Sequence, residues 1–154
     1  MNDEDFYISL KNLYKELKVK GGVAFLSNEF FNEKKKMLIL LNECGGKCLQ
    51  YASNELKKDR DIVLEAIKRD GTSLMFANPK FQNDEEIVKI AIEKDGRALA
   101  FVNDKFKDNK EIVLKAVKND ALALSFVSKE LKNAPTGNPI KIPIVVKIKV
   151  SLFT

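Results

Sequence analysis

The residues best suited to chemistry in this chain are Cys44 and Cys48, which flank a Gly-Gly-Lys string at 45–47. Two thiols four residues apart could supply half of a zinc site, but the chain holds no histidine and no further cysteine to complete it. The string also departs from a phosphate-binding loop, since Leu41 stands at the first glycine position and Cys48 replaces the serine or threonine. The simpler interpretation is a helix end at the two glycines, with Cys48 buried and both thiols reduced.

Carboxylates are the next candidates, because Glu85 is followed by Glu86 and Asp59 lies two residues before Asp61. An acid/base pair of a hydrolase would use such groups, yet a nucleophile also needs a base beside it, and the best base near neutral pH, histidine, is absent. Both pairs fall where a predicted helix begins, and capping explains them there. The sequence therefore predicts a protein that is not an enzyme and has no catalytic residue, no cofactor and no metal.

The elements that position these residues follow from an internal repeat. Residues 46–70, 71–95 and 96–120 are similar segments of 25 residues that follow one another without a gap. A fixed period of this size is typical of stacked helical arrays.

Each repeat is predicted to be a helical hairpin. Asp70 can cap the first helix of the next repeat, and Asn78-Pro79 begins a single short turn, because proline is favoured at a first helical position. A second helix follows, and its predicted buried face recurs three times, as Ile62, Val63, Ala66 and Ile67, as Ile87, Val88, Ala91 and Ile92, and as Ile112, Val113, Ala116 and Val117. The predicted fold is all-α, a short right-handed α-solenoid of helical-hairpin repeats with an extended C-terminal segment.

The two ends depart from the repeat. Residues 1–20 are predicted to form an N-terminal capping helix, 21–45 a degenerate repeat, 121–133 a half repeat, and 134–154 a turn and an extended tail. Within the tail the apolar residues alternate as in a strand, at Ile140, Ile142, Ile144, Val146, Ile148, Val150 and Leu152. The tail could cover the exposed core of the last repeat, pair with a second chain, end the chain in disorder, or derive from a truncated reading frame.

One aromatic residue recurs at the same place in successive repeats, at Phe25, Tyr51, Phe76, Phe101 and Phe126. Such a column could stack nucleic-acid bases, one per repeat. Because leucine and alanine flank it at helical spacing, the sequence favours a place in the core.

The recurring unit reads L-x-[FY]-[AV]-[SN]-x-x-[LF]-x-x-[DN]-x-[DE]-I-V-x-x-A-[IV]-x-x-D-G. It resembles a family of short tandem helical repeats known only as a domain of unknown function. The resemblance covers residues 46–120 well, and residues 23–44 and 121–132 weakly. It implies an all-α array used as an interaction surface, and it carries over no catalytic residue.

Charge and hydropathy bear on the partner and the compartment. Most of the formal net charge of +5 lies in residues 121–154, which hold five lysines and one acidic residue, while the repeats are close to neutral. No apolar run is long enough to span a membrane, so no membrane partner is predicted. The N-terminus is acidic where a signal peptide would be basic, and we therefore expect a cytoplasmic protein.

The predicted function is binding of a protein partner, as an adaptor or an inhibitor, through outward positions that differ between repeats. The candidate contacts are Met75, Glu85, Ile90, Arg97, Lys110 and Lys115. Ile90 is the best single candidate, because the equivalent residues in the neighbouring repeats are charged. The alternative is a nucleic-acid-binding protein with phosphate contacts from Lys129, Lys132, Lys141, Lys147 and Lys149. Self-association through the 140–152 strand is a further possibility.

Overall fold

The computed structural model describes residues 33–132 and, apart from them, residue 8. The predicted capping helix at 1–20, the first part of the degenerate repeat at 21–32 and the predicted turn and tail at 134–154 therefore lie outside the described residues, as does Phe25.

The described chain is a succession of helices with the period of the sequence repeat. It begins with α1 (Lys34–Cys44), η1 (Gly46–Tyr51), η2 (Leu56–Lys58) and α2 (Arg60–Arg69), where η denotes a 3-10 helix. The second and third repeats comprise η3 (Gly71–Phe76), α3 (Pro79–Gln82), α4 (Glu85–Lys94), η4 (Gly96–Phe101), α5 (Asp104–Lys107) and α6 (Lys110–Asn119). The last elements are η5 (Ala121–Phe126) and α7 (Lys129–Lys132). Within 33–132 there is no strand, and the predicted all-α tandem array is confirmed.

The helices form two layers. The long helices α1, α2, α4 and α6 pack side by side as one layer, called the α layer here, and η1, η3, η4 and η5 pack side by side as the 3-10 layer. The core lies between the layers, and all twelve residues of the predicted buried face are buried in it. The long helices α2, α4 and α6 each contact the 3-10 helix of their own repeat and that of the next repeat, and α1 contacts η1 of the next repeat. Burial in each repeat thus depends on its neighbours, as in other solenoids.

The first arm of each repeat differs from the prediction, because it is a six-residue 3-10 helix and not an α-helix. Gly71 and Leu74 of η3 and Ala77, which directly follows it, are buried and spaced by three, and three residues per turn place Gly71 and Leu74 in one line facing the core. Thr72 and Ser73 are buried as well. In an α-helix, with 3.6 residues per turn, Gly71, Leu74 and Ala77 would lie on one broader face and not in a single line. The short turn after the arm is confirmed in α3 and α5, each a single helical turn.

Side-chain caps begin the elements where the sequence predicted them. Asp84 accepts hydrogen bonds from the amides of Glu86 and Ile87, at 3.0 and 3.2 Å, and Asp59 and Asn109 cap the neighbouring long helices in the same way. Asp70 accepts from the amide of Thr72 at 2.9 Å and so begins η3. Each cap satisfies amides that have no partner within the helix.

A glycine opens each complete repeat because backbone packs against backbone there. A Cβ added to Gly71 would overlap the carbonyl oxygen of Ala91, in the long helix of the same repeat. Gly46 and Gly96 meet the carbonyl oxygens of Ala66 and Ala116 in the same way. The 3-10 helix therefore approaches the α-helix as closely as the two backbones allow.

A second link joins successive repeats through main-chain atoms. The amide of Asn78 donates to the carbonyl of Lys57 at 3.0 Å, and the amide of Asn103 donates to the carbonyl of Gln82 at 2.9 Å. Ser128 repeats the contact with Lys107. These bonds fix the register of one repeat on the next and require no particular side chain, which is why the sequence did not reveal them.

Replacing Gly71 with alanine is expected to destabilise the fold by roughly 1–3 kcal/mol or more, since the added methyl group overlaps rigid backbone. The measurement is the free energy of unfolding in urea.

Ala121→Gly is the matched control, because residue 121 occupies the same repeat position and no long helix follows it within the described residues. Its cost is expected to be that of a glycine in a helix, about 0.5–1 kcal/mol. If the two variants lose the same free energy of unfolding, the close backbone contact is not the reason that position 71 requires glycine.

Candidate interaction surface

The six predicted contact residues do not form one patch. Met75 and Arg97 lie on neighbouring helices of the 3-10 layer and are exposed. The other four belong to the α layer, at Glu85, Ile90, Lys110 and Lys115. A partner docking on one face of the array would therefore meet only part of the set.

Ile90, the best single candidate from the sequence, is half-buried and packs against the core. An apolar residue is explained there without a partner. Among the charged candidates, Glu85 pairs with Lys89 at 2.6 Å and Lys115 lies 3.5 Å from Glu93. Lys110 is exposed at the first position of α6.

Exposed apolar side chains are concentrated on the other layer. Within residues 33–132, every large hydrophobic residue that is exposed lies on a 3-10 helix, at Tyr51, Met75, Leu122 and Phe126. Met75 is 44% exposed and Leu122 is 55% exposed. The outward face of the α layer carries none of this class in the described part of the chain.

The aromatic column belongs to this exposed face. Tyr51 and Phe126 are exposed and Phe76 and Phe101 are half-buried, so the interpretation of the whole column as core is wrong. Phe76 does touch the core with part of its ring. The column runs along the array at one residue per repeat, and we call Tyr51, Phe76, Phe101 and Phe126, with Met75, the aromatic stripe.

A cleft of about 400 Å³ adjoins the stripe where the first and second exact repeats meet. Phe76 and Pro79 form its apolar part, and Lys57, Lys58, Asn54 and Asn78 supply polar atoms. Its volume falls within the range of pockets that receive small ligands or single side chains of a partner. The cleft thus provides a concave site beside the stripe.

Ion pairs border the stripe at the beginnings of the 3-10 helices. Arg97 lies 2.7 Å from Asp95 and 3.4 Å from Asp120, and Lys47 lies 3.7 Å from Asp70. The hydrogen bond from Arg97 holds the pKa of Asp95 below its usual value. Arg97 therefore already has two partners within the chain, and charge reversal there would disturb the local structure as well as any docking.

In the α layer, cations at the beginning of one long helix reach acids at the beginning of the next. Arg60 contacts Asp84 at 2.8 Å and Glu86 at 2.6 Å, and Lys34 makes the same bridge to Asp59 and Asp61. This bridge does not continue from α4 to α6. Glu85 occupies the repeat position of Arg60, so the cation is missing, and the cap of α6 is the neutral Asn109. Capping and these bridges account for the acid pairs that the sequence offered as candidate catalytic groups.

The cysteines are joined in the structure as a disulfide between Cys44 and Cys48, so the expectation of two reduced thiols is wrong for this structure. The bond spans the change from α1 to η1, and Cys48 is buried at the position that Ala98 and Ala123 occupy in later repeats. The predicted helix end is confirmed at Gly45, whose φ of 88° is a left-handed conformation that favours glycine.

Of the lysines in the nucleic-acid alternative, Lys129 is exposed on α7 and Lys132 is the last residue of that helix. Lys141, Lys147 and Lys149 lie outside the described residues. Across the part of the chain that the structure describes, no group of acidic or cysteine side chains has the arrangement of a metal site. The same part contains no helix that is both long and apolar enough to cross a membrane.

Comparison with known proteins gives one family. Its model, described as Domain of unknown function (DUF4116), matches residues 33–82 and again residues 84–132, and each match spans about two repeat periods. The resemblance stated from the sequence is thereby confirmed. No curated protein and no solved structure matches the chain.

Asp84 offers a test of the caps. Burial raises the pKa of this carboxyl group, but hydrogen bonds from Arg60 and from the amides of Ile87 and Glu86 more than offset it, so its pKa lies below the usual value. Asp84→Ala is expected to cost about 1 kcal/mol at pH 7, the usual cost of a lost cap. Asp84→Asn is expected to cost less, because Asn109 caps α6 with the same geometry.

The pH dependence of stability distinguishes the contribution of the cap hydrogen bonds of Asp84 from the contribution of its negative charge. A carboxyl group whose pKa is lowered by folding stabilises the protein above its unfolded pKa of about 3.9 and loses this contribution as the pH falls through the folded value. Urea unfolding at pH 7 and pH 3 should therefore show a smaller loss on acidification for Asp84→Asn than for the unchanged protein. Identical losses would mean that the charge of Asp84 adds nothing to stability.

Proposed function

The chain belongs to the family of Domain of unknown function (DUF4116), and we propose that it is a protein-interaction module that binds its partner through the 3-10 layer. In this proposal the aromatic stripe is the contact surface and the α layer is its support. The module carries no chemistry of its own and acts as an adaptor or an inhibitor.

The observation that carries the proposal is the unequal distribution of exposed apolar side chains. Tyr51, Met75, Leu122 and Phe126 all project from one layer of the described residues, and the opposite layer presents charged residues in ion pairs. Tyrosine, phenylalanine and methionine are enriched at the centres of protein interfaces. A recurring row of them on one face is the pattern of a docking surface and not of scattered surface residues.

Specificity would come from the residues beside the stripe. The position of Met75 is occupied by Gln50, Ala100 and Ser125 in the other repeats, and the position of Thr72 by Lys47, Arg97 and Leu122. Lys47, Arg97 and Leu122 are exposed, as are Gln50, Met75 and Ser125, whereas Thr72 is buried and bonds to Asp70. The exposed members can differ without a change in packing. The apolar centre and the ion pairs at its border suit a partner that presents an apolar segment with polar flanks.

Met75→Gln is expected to weaken partner capture at least about fivefold, since the central residues of an interface typically cost more than 1 kcal/mol when replaced. Glutamine stands at the equivalent position in the first exact repeat, as Gln50, so the fold should accept it. The measurement is affinity capture from a lysate of the native organism after nuclease treatment, with the captured protein quantified for each variant.

The matched control is Leu114→Gln, on the α layer. Leu114 is half-buried, and Lys89 occupies its repeat position in the preceding repeat, so a polar residue is compatible with the fold there. The proposal requires that one protein is captured by the unchanged chain and by the control, and that its capture is weakened by Met75→Gln. Equal capture by all three would contradict the 3-10 layer as the binding face. Capture abolished by nuclease would favour the nucleic-acid alternative instead.

The cysteine pair tests the compartment. The cytoplasm, which the sequence predicted, keeps thiols reduced, whereas a disulfide is typical of oxidising compartments. Because the structure joins Cys44 to Cys48, we expect neither thiol of the unreduced protein to react with an alkylating reagent. Mass spectrometry of protein isolated directly from cells in the presence of the reagent gives the answer. Two alkylated thiols would support the cytoplasm and would show that the bond does not form there.

The Cys48→Ala variant measures how much the disulfide contributes to the free energy of unfolding. Alanine fits the site, as Ala98 and Ala123 show, so the loss should come only from the bond. Closing a loop of about five residues is worth about 2 kcal/mol by chain entropy. Urea unfolding should therefore separate Cys48→Ala from the oxidised protein by about this amount and from the reduced protein by much less. If the difference in the free energy of unfolding between Cys48→Ala and the unchanged protein is the same with and without reductant, the result would argue against the bond.

A further inference from the structure

The cleft beside the aromatic stripe is lined by cations and by no acid. One wall is the turn of the first exact repeat, with Asn54, Lys57 and Lys58, and the other is the segment from Phe76 to Pro79 of the second. Among the described residues that line the cleft, none is acidic. The main-chain bond from Asn78 to Lys57, at 3.0 Å, joins the two walls, so the lysine pair has a fixed position relative to the apolar residues.

Both lysines are available to a carboxylate from outside the chain. Lys57 is half-buried and donates to the carbonyl of Gln50 at 2.8 Å, an acceptor that carries no charge. Lys58 pairs with Glu55 at 2.9 Å, and the Glu55 side chain is 83% exposed. Solvent-exposed pairs of this kind contribute little to stability, so a partner's carboxylate can share or replace Glu55 at low cost. An ammonium group also has three donors and can serve two acceptors at once.

The next junction of the array lacks this charge. Gln82 and Asn83 occupy the repeat positions of Lys57 and Lys58, and Asp104 occupies that of Pro79. The lysine pair therefore belongs to one junction and does not continue along the array. A nucleic-acid strand carries a phosphate at every nucleotide and would meet Asp104 at the next junction, whereas a single acidic side chain needs only the one cleft.

Apolar groups adjoin the lysine pair on the side of the stripe. Phe76 and Pro79 line the cleft, and the exposed Met75 precedes Phe76 in η3. A segment that places a carboxylate at the lysines has its neighbouring residues beside the stripe, where an apolar side chain gains free energy by burial. The charge then fixes the register of the segment, and the apolar residue supplies most of the affinity.

We propose that the cleft receives an aspartate or glutamate side chain of the protein partner, bound by the ammonium groups of Lys57 and Lys58. The docking segment of the partner is thus one in which an acid adjoins an apolar residue. This inference rests on the proposed function, because it names the chemistry of the segment that the 3-10 layer binds. It goes further in requiring a negative charge at one place on the partner.

Peptides displayed on phage provide probes for the test. A library of random peptides of about twelve residues, which extend past more than one repeat, is selected on the full chain. The retained peptides are synthesised with a fluorescent label, and their Kd is measured by anisotropy. They are expected to carry aspartate or glutamate close to an apolar residue, and to bind more weakly as salt is added. Retained peptides without an acid would overturn the inference.

The variant Lys57→Gln/Lys58→Asn removes the two charges and introduces the residues that the second exact repeat has at these positions. Gln82 donates to the carbonyl of Leu74 much as Lys57 donates to that of Gln50, so the fold should be retained. The Kd is expected to rise at least about tenfold, as for a lost hydrogen bond to a charged group. Lys94→Gln/Lys118→Gln is the control, since it removes the same charge from the last turns of α4 and α6. Its Kd should change less than about twofold.

Replacing the acid of a retained peptide with its amide tests for direct contact. The replacement should cost about tenfold in Kd with the unchanged chain and much less with Lys57→Gln/Lys58→Asn, because the two changes remove the same interaction. Equal costs with the two chains would overturn the contact between the acid and the lysine pair.

Met75→Gln distinguishes failure of this inference from failure of the proposed function. Peptides that lose affinity with Met75→Gln but not with Lys57→Gln/Lys58→Asn would overturn the cleft as the acid site and would still support binding at the 3-10 layer. Peptides insensitive to both variants, or the absence of any retained peptide, would count against both. An oligouridylate that binds more tightly than every retained peptide and is lost with the lysine variant would assign the cleft to phosphate and overturn the inference.

Discussion

The contact between the opening glycine and the long helix is the constraint on which the array depends. Because Gly71 has no side chain, η3 approaches the carbonyl of Ala91 at backbone distance, and the same contact recurs in each complete repeat. That approach sets the spacing between the layers, brings the leucines of the 3-10 helices onto the faces of the long helices and aligns the turn amides with the carbonyls of the preceding repeat. Asp70 before Gly71 and Asp95 before Gly96 cap their 3-10 helices and complete the junction, whereas Gly45 precedes Gly46 without a side-chain cap.

A framework held by backbone contacts, caps and a recurring aliphatic face leaves the outward residues free to vary. The two layers use this freedom differently. The α layer connects its repeats with ion pairs such as Arg60 to Asp84 and Glu86. The 3-10 layer instead exposes a column of aromatic residues, with different neighbours in each repeat. Solvent-exposed ion pairs contribute little to affinity, whereas exposed apolar groups gain free energy when a partner covers them. The asymmetry therefore favours binding at the 3-10 layer.

Local sequence signals were sufficient for part of this structure. The period, the caps at Asp59, Asp84 and Asn109, the buried face of the long helices and the helix end at Gly45 follow from propensities within a few residues. The 3-10 form of the first arm was missed, although the spacing of Gly71, Leu74 and Ala77 by three was a signal for it. In a segment of six residues, apolar spacing by three fits both helix types, and the packed neighbour decides between them.

The candidate site was harder to predict because exposure depends on which side of a packed helix faces its neighbour. An aromatic residue between leucine and alanine resembles core in the sequence, yet the three-residue turn that buries Leu74 leaves Phe76 at the border and Met75 in water. An isoleucine at a repeat position that is charged in the neighbouring repeats suggests a partner contact, yet Ile90 packs against the core. The first error comes from the helix type, which fixes the direction of each side chain in the first arm. The second does not, since Ile90 lies in a long α-helix, and its burial comes from the packing of that helix against the core. The 3-10 geometry that opens each repeat at its glycine is thus also the geometry that creates the exposed stripe.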